Sequence, residues 1–391
     1  MTQHARFAPS DAELWGNCSG SLRAREGAPN LDSDATREGT AVHWVIAEVL
    51  TSYKTAGAQA LLCSDFIGKA APNGVMIDAV MADGADTMVS DVLAVCQKHG
   101  CVQQLLVEHR VHMPHLHRDC WGTLDAAVYV PSERLIYIWD YKNGHREKRA
   151  ENNSQLICYL HGLAHELGID DQRTRVAAKI VQPFCYRPGG PVDGWTFTLS
   201  DLRASWNRLA AQAAEADSNP QLRAGAWCRD CSAVGKCSAA RDAAYAVVDF
   251  VKHPYAMDSM TGRDLAAERE LLKTGSSILM ARLDAIEDDL KHRIAAGDGT
   301  TGLALESTPG RLSWVDTCTP AVAKALFSQF GVDISVEAVL TPTQSIKKAP
   351  KEVKPMLEKV LANYASRKAG ALKLVNATDT VSSRAFSTKR S

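Results

Sequence analysis

Two carboxylates and a lysine carry the first chemical signal. Asp125 sits in Gly122-Thr-Leu-Asp, and Asp140-Tyr-Lys142 follows in the pattern D-x14-D-x-K. If two adjacent antiparallel strands hold these segments, both carboxylates reach one point, with Lys142 on the same strand face as Asp140. Two hard oxygen ligands beside a substrate phosphate suit Mg²⁺ or Mn²⁺. A neighbouring lysine can position or deprotonate a water and offset charge in a phosphoryl-transfer transition state. The same spacing also fits a surface salt bridge at a hairpin end, so the pattern alone does not choose. His43, on a helical stretch after Glu38-Gly39-Thr40, could add an imidazole ligand or be a satisfied core histidine. Asn152, Gln155 and Tyr159 recur at helical spacing as one polar stripe. Leu156, Ile157 and Leu160 flank Tyr159, which implies that this stripe is covered. The intervening NGHREKR carries Arg146, Lys148 and Arg149 against Glu147, the composition of a phosphate-contacting loop.

The second signal is cysteine spacing. Cys228, Cys231 and Cys237 form C-x2-C-x5-C, an incomplete tetrahedral set that needs one distant ligand. Cys18, in a polar segment beside Trp15, is the candidate. Four thiolates suit structural zinc or an iron–sulfur cluster. The chain has 11 cysteines; the other seven lie singly and read as small buried hydrophobes.

The elements that must position these residues follow from periodicity. Val42, Val45, Ile46 and Val49 recur at helical spacing in AVHWVIAEVL, and residues 76–98 form a second helix. Residues 102–111, 121–130 and 134–142 are short runs rich in β-branched and aromatic residues, the last two joined by a Pro131-Ser-Glu turn. The third run is apolar on both faces, as in a strand buried between layers, so its terminal Asp140–Lys142 pair needs a function or a partner. A helix over 152–167, strands over 175–186 and 194–199, and a helix from Ser200 to about Ala216 come next. This order gives an α/β chain with a mixed central sheet flanked by helices. A Cys-rich loop at 227–237, a charged connection, a long helix over 264–295 and a smaller, mainly helical C-terminal extension follow. The expected division is a domain over 1–248 and an extension over 249–391.

The net charge of −1 names no partner, but it is unevenly spread. Residues 345–391 carry eleven Lys/Arg and three Asp/Glu, leaving an acidic body and a basic tail. In that tail Lys347 and Lys348 are candidate DNA contacts, with a merely solubilising tail as the alternative. The first twenty residues hold no apolar core of a signal peptide, and no stretch reaches the length of a membrane span. Unpaired cysteine usage in a long chain suggests a reducing, cytoplasmic setting with no membrane partner.

On His43 in EGTAVHWVIAE, Asp125 in GTLDAAV, Asp140-Tyr-Lys142 and Gln155-Leu-Ile-Cys-Tyr159, the chain resembles the RecB-like branch of the PD-(D/E)XK nuclease superfamily over roughly residues 10–240. Leu124 stands where the superfamily's name has proline. The resemblance implies a restriction-endonuclease-like core in which His43, Asp125, Asp140 and the Tyr141 carbonyl hold Mg²⁺ or Mn²⁺. Lys142 would be the catalytic lysine, and Gln155 and Tyr159 would orient it or the DNA. Glu108, in VEHRV, is a further candidate for the site. One cysteine near the N-terminus plus C-x2-C-x5-C resembles the [4Fe–4S] staple of AddB-type and CRISPR-adaptation nucleases, with zinc as the alternative. The whole chain resembles the phage domain-of-unknown-function family 2800. That likeness implies a role in phage recombination or replication inside a bacterial host cell, near a single-strand-binding or annealing protein. The expected activity is a DNA exonuclease acting on linear or single-stranded ends. A silent DNA-end-binding scaffold and a structure-specific endonuclease or nickase are the rivals.

Overall fold

The computed structural model describes residues 5–27, 34–169, 173–251, 260–315, 317–334, 341–350 and 352–376. The chain begins with two short helices, α1 (Ala12–Trp15) and α2 (Ser21–Ala24), then the long α3 (Asp34–Ala56) and α4 (Ala79–His99). α3 buries Ala41, Val42, Val45, Ile46, Val49 and Leu50 as one stripe. α4 starts where Asp78 accepts the N–H of Met81 and ends at Gly100, whose φ of 63° closes the helix in the left-handed conformation. Gly84 lets α4 approach the sheet: a side chain there would meet the Tyr141 hydroxyl at 2.8 Å.

Three strands follow, β1 (Leu106–His112), β2 (Trp121–Val130) and β3 (Leu135–Tyr141). β2 and β3 form a hairpin through Pro131–Glu133, with Arg134 left-handed at φ 47°. α5 (Ser154–Glu166) crosses over to β4 (Arg175–Val181), parallel to β3; β5 (Val192–Thr198) pairs antiparallel with β4. The sheet order is β1-β2-β3-β4-β5. It is therefore a mixed sheet, mostly antiparallel, with helices on both faces, as the element order in the sequence implied. α6 (Arg203–Ser218), α7 (Ser238–Val251) and α8 (Gly262–Ala295) complete this part.

Two cores sandwich the sheet. On one face α1, α5 and α6 pack through Trp15, Leu156, Tyr159, Leu163 and Leu209 on Ile136 and Ile138. On the other, α3 and α4 pack on Val128, Trp139 and Tyr141. β3 thus buries both faces, and its alternating side chains feed opposite cores. Trp139 is fully buried and its indole N–H donates to Asp91 at 2.6 Å, so the largest ring in this core leaves no polar group unpaired.

The chain divides into two compact units, Met1–Arg282 and Leu283–Ser391. This division lies inside α8, whereas the sequence placed a boundary after residue 248. The second unit pairs β6 (Leu303–Trp314) with β7 (Ala365–Asn376) around α9 (Pro320–Ser328), α10 (Pro342–Lys348) and α11 (Lys354–Leu361). Phe327, Leu357 and Leu361 are its buried anchors. Of the expected basic tail, residues 377–391 lie outside the described residues. Among the described residues no helix is long and apolar enough to cross a membrane.

Candidate metal centre and cysteine site

The β1–β2–β3 register puts three carboxylates in one row. β1 and β2 pair Val107 with Ala126 and His109 with Leu124, so Glu108 falls opposite Asp125. β2 and β3 pair Ala126 with Trp139, and one step further Asp125 falls opposite Asp140. The ladder gives way there to a side-chain bond: the Tyr141 N–H donates to Asp125 Oδ2 at 2.6 Å. His43 descends from α3 to complete the group. Its Nδ1 lies 3.4 Å from Asp125 Oδ1 and 3.9 Å from Glu108 Oε1. His43, Glu108 and Asp125 each offer a ligand atom within 4.8 Å of the others.

Glu108 is held in an unusual backbone state, φ 43°, which a residue with a long side chain adopts at a cost of order 1–3 kcal/mol. The alternation of β1 slips there. Val107 packs in the α3-side core, yet His109, two residues on, reaches back to Glu166 of α5 at 2.7 Å, and Val111 lies in the α5-side core. β2 slips at the matching place, since Leu124 and Ala127 both join the α5-side core although three residues apart. Because both strands slip together, the register is kept.

On the α5 side, Lys142 Nζ lies 2.9 Å from Asp140 Oδ2 and donates to Gln155 Oε1 at 2.8 Å. Gln155 Nε2 in turn donates to the Tyr159 hydroxyl at 3.4 Å. The Tyr141 side chain turns to the opposite core and donates to Asn143 Oδ1 at 3.2 Å, while its backbone stays at the centre.

The charges are crowded and mostly out of water. Burial and the Asp125 charge push the Glu108 pKa up to about 7, with His43 pulling the other way. Asp140 is also raised, by burial first, against the pull of Lys142. For Asp125 burial is outweighed by His43, Lys142 and the Tyr141 N–H, which hold it low. Burial disfavours charge on His43, but Asp125, Glu108 and Asp140 together push its pKa up to about 9. Burial likewise opposes charge on Lys142, and Asp140 and Asp125 prevail, so it stays an ammonium. A carboxylate row that is buried at Asp125 and Asp140 and exposed at Glu108, with a half-buried histidine beside it, is an oxygen-rich donor set that could hold Mg²⁺ or Mn²⁺.

The loop after β3 is tied down by carboxylates. Arg146 donates from Nη2 to both oxygens of Asp230, at 2.7 and 2.6 Å, and Lys148 Nζ lies 3.5 Å from the same carboxylate. Arg149 sits 3.6 Å from Glu147 and 3.3 Å from Asp193. These cations are already matched by carboxylates. Gln182 fixes the same loop by donating to the carbonyls of Gly144 and Arg146 at 2.6 and 2.7 Å. Nothing in local spacing signalled Gln182 or Asp193, which act across the sheet. Asn152 does not share the helical stripe with Gln155 and Tyr159. It is left-handed at φ 56°, because Asn153 caps α5 by accepting the N–H groups of Gln155 and Leu156, and the helix begins only at Ser154. Lys347 and Lys348 end α10 in the second unit, Lys348 exposed.

The four expected cysteines line one small cavity between the start of the chain and residues 222–240. The two segments are sewn together by Gly20 N–H donating to the Gln221 carbonyl at 2.9 Å and Gln221 N–H donating to Ser19 Oγ at 2.9 Å. Arg223 N–H points at Cys18 Sγ, 3.3 Å, and Gly225 N–H at Cys228 Sγ, 3.4 Å. Burial raises the Cys18, Cys228 and Cys231 thiols, and neighbouring sulfurs add to it: Cys237 on Cys18 and Cys228, Cys228 and Cys18 on Cys231. Among the described residues no three cysteine sulfurs lie within 4.8 Å of one another.

The fold and this geometry define an α/β protein with a candidate divalent-cation centre at the end of a mixed sheet. The chain belongs to the family described as protein of unknown function (DUF2800), whose model matches residues 4–382. A solved structure titled "Crystal structure of SSO0001" is similar over 56% of this chain and 95% of its own, at 11% identity and a TM-score of 0.24.

Proposed function

We propose that the protein is a metal-dependent deoxyribonuclease of the PD-(D/E)XK, RecB-like type that hydrolyses phosphodiester bonds at linear or single-stranded DNA ends. The observation that carries this reading is one connected chain of side chains: His43 and Glu108 on Asp125, Asp125 on the Tyr141 backbone, Asp140 on Lys142, Lys142 on Gln155, Gln155 on Tyr159. A salt bridge that merely tied a hairpin end would need neither the histidine nor the glutamine–tyrosine relay.

His43, Asp125, Asp140 and the Tyr141 carbonyl, with Glu108 beside them, would hold Mg²⁺ or Mn²⁺. When bound, the ion supplies Lewis-acid polarisation of the phosphate and a more acidic water. The residues do the rest. Lys142, held 2.9 Å from Asp140 Oδ2, is placed to stabilise charge on the phosphoryl oxygens or to position the attacking water. Gln155 fixes the ammonium's direction, and Tyr159 fixes Gln155. In the reaction the water oxygen bonds to phosphorus and gives up a proton to solvent as the P–O bond to the leaving strand breaks, and the departing oxygen takes a proton back from solvent.

Cys18, Cys228, Cys231 and Cys237 would hold a [4Fe–4S] cluster. The four cysteines line one cavity, and one distant cysteine plus C-x2-C-x5-C resembles the iron–sulfur staple of AddB-type nucleases, with structural zinc as the alternative. N–H groups aimed at Cys18 and Cys228 suit sulfur ligands that carry charge. The cluster's role here is structural: it pins the start of the chain to a point more than 200 residues later.

End-labelled linear DNA and a closed circular plasmid, each with Mg²⁺ or Mn²⁺, test the reading. Loss of label from linear DNA alone is the expected result. Nicking of the circle would make the protein an endonuclease, and binding without cleavage would make it an end-binding scaffold. A phage single-strand-binding or annealing protein is the partner class for such an enzyme.

A further inference from the structure

Besides the loop of Arg146, Lys148 and Arg149, whose cations pair with carboxylates, β1 and β2 offer a further surface for a substrate strand. The slip at Glu108 and Asp125 reverses which side chains face the α5 core. Beyond it, His109, Val111 and Leu124 turn to that core, so Arg110 and His112 on β1 share the other face with Thr123 and Trp121 on β2. Arg110 lies opposite Thr123, and His112 opposite Trp121. Arg110, His112 and Thr123 are exposed and Trp121 is half-exposed. The Arg110 guanidinium carbon stands 3.8 Å over the Trp121 ring, and the His112 ring is 6.4 Å from it. Among the described residues Arg110 makes no ion pair. It is two residues from Glu108 along β1, about 7 Å at the rise of a strand.

We propose that Arg110 and Trp121 form a stacking platform for single-stranded nucleic acid running into the carboxylate centre. A guanidinium held 3.8 Å over an indole offers a cation for phosphate and a plane on which an unpaired base can stack. The indole holds that plane in place before any strand arrives, so little ordering is left to do on binding. Duplex bases are stacked on one another and show only their edges, which makes the platform selective for an unpaired strand. The strand's destination rests on the nuclease reading; the binding itself does not.

The test is fluorescence anisotropy of the full chain with a labelled oligothymidylate and with a labelled hairpin duplex, both without divalent metal, followed by cleavage with Mg²⁺. Arg110→Ala and Trp121→Ala should each weaken oligothymidylate binding about tenfold and duplex binding less than twofold. Trp121→Phe, which keeps a ring, should lose less than Trp121→Ala. Arg110→Ala is exposed and carries the test should Trp121→Ala melt early. Wild-type affinity in Arg110→Ala, or equal losses for oligothymidylate and duplex, would overturn the platform. A wild type that prefers oligothymidylate but cleaves nothing would remove the nuclease reading and leave the platform standing. A wild type that cleaves, with Arg110→Ala unchanged in binding and in KM, would do the reverse.

Discussion

The backbone N–H of Tyr141 donates to Asp125 Oδ2 at 2.6 Å, just where the β2–β3 ladder stops at Ala126 and Trp139. One oxygen of this carboxylate therefore completes the sheet, and the other, 3.4 Å from His43, faces the candidate centre. Structure and chemistry can be separated by substitution. Asn at position 125 keeps an oxygen to accept the Tyr141 N–H but loses the charge; Ala loses both. Asp125→Asn should lower Mg²⁺-dependent cleavage by at least about 10³-fold with little change in melting. Asp125→Ala should lose the same activity and about 1–2 kcal/mol of stability besides, for the buried N–H left unpaired. Denaturant melts beside initial rates check both. A fully active Asn variant would remove Asp125 from the mechanism.

Lys142 and Gln155 should divide differently. Lys142→Met removes the cation at the phosphate and should abolish cleavage, while metal binding persists because the carboxylates remain. Gln155→Ala leaves the ammonium held by Asp140 alone, 2.9 Å away, and only less well directed. The expected result is kcat down about tenfold, about 1.4 kcal/mol, with metal affinity and KM within twofold. A rise in KM alone would make Gln155 a DNA contact instead.

Acid should expose a second histidine. His161 on α5 has its pKa lowered to about 4, by burial first and then by His115 and His165, and it packs edge-on against Trp206. A histidine depressed in the folded state contributes its full stability above the unfolded pKa of about 6.5 and loses it as pH falls toward 4. Discounted for its partial exposure, the loss between pH 7 and pH 5 is about 1 kcal/mol. His161→Gln should flatten the pH dependence by that much in urea melts at the two pH values. Equal slopes for wild type and variant would show that His161 titrates normally.

The sheet and its helices were legible because β3 is apolar on both faces and α3 repeats its buried stripe every three to four residues. Those periods are local. The carboxylate pair was legible for the same reason, since a hairpin of known turn fixes which residues meet. What local pattern could not show was the slip at Glu108: a positive φ at a glutamate has no sequence signature, yet it decides which face Arg110 and His112 share. Pairing across distance was equally hidden. NGHREKR reads as a basic loop, and only the fold brings Asp230 and Asp193 to neutralise it. The helix start was misjudged because Asn152 and Asn153 look alike in sequence, and the backbone chose the second as cap.

The Asp230 contact makes the cysteine site testable through its effect on that loop. Asp230 lies between Cys228 and Cys231 and grips Arg146 and Lys148, so whatever the sulfurs hold also anchors residues 143–149. Protein purified without oxygen should be brown and carry about four irons per chain. Cys18→Ser should lose iron as fully as Cys228→Ser, Cys231→Ser or Cys237→Ser, because opening any one ligand exposes the cluster. Cys96→Ser and Cys318→Ser, which do not line the cavity, should keep it. In the iron-free variants, amide hydrogen exchange over 143–149 should quicken, while that over β3 stays slow. Asp230→Asn should quicken exchange in the loop and leave the iron in place. Colourless protein with one zinc per chain would replace the cluster and keep the four-ligand grouping. Iron retained in Cys18→Ser would break the grouping, and unchanged exchange in Asp230→Asn would cut the link between the cysteines and the loop.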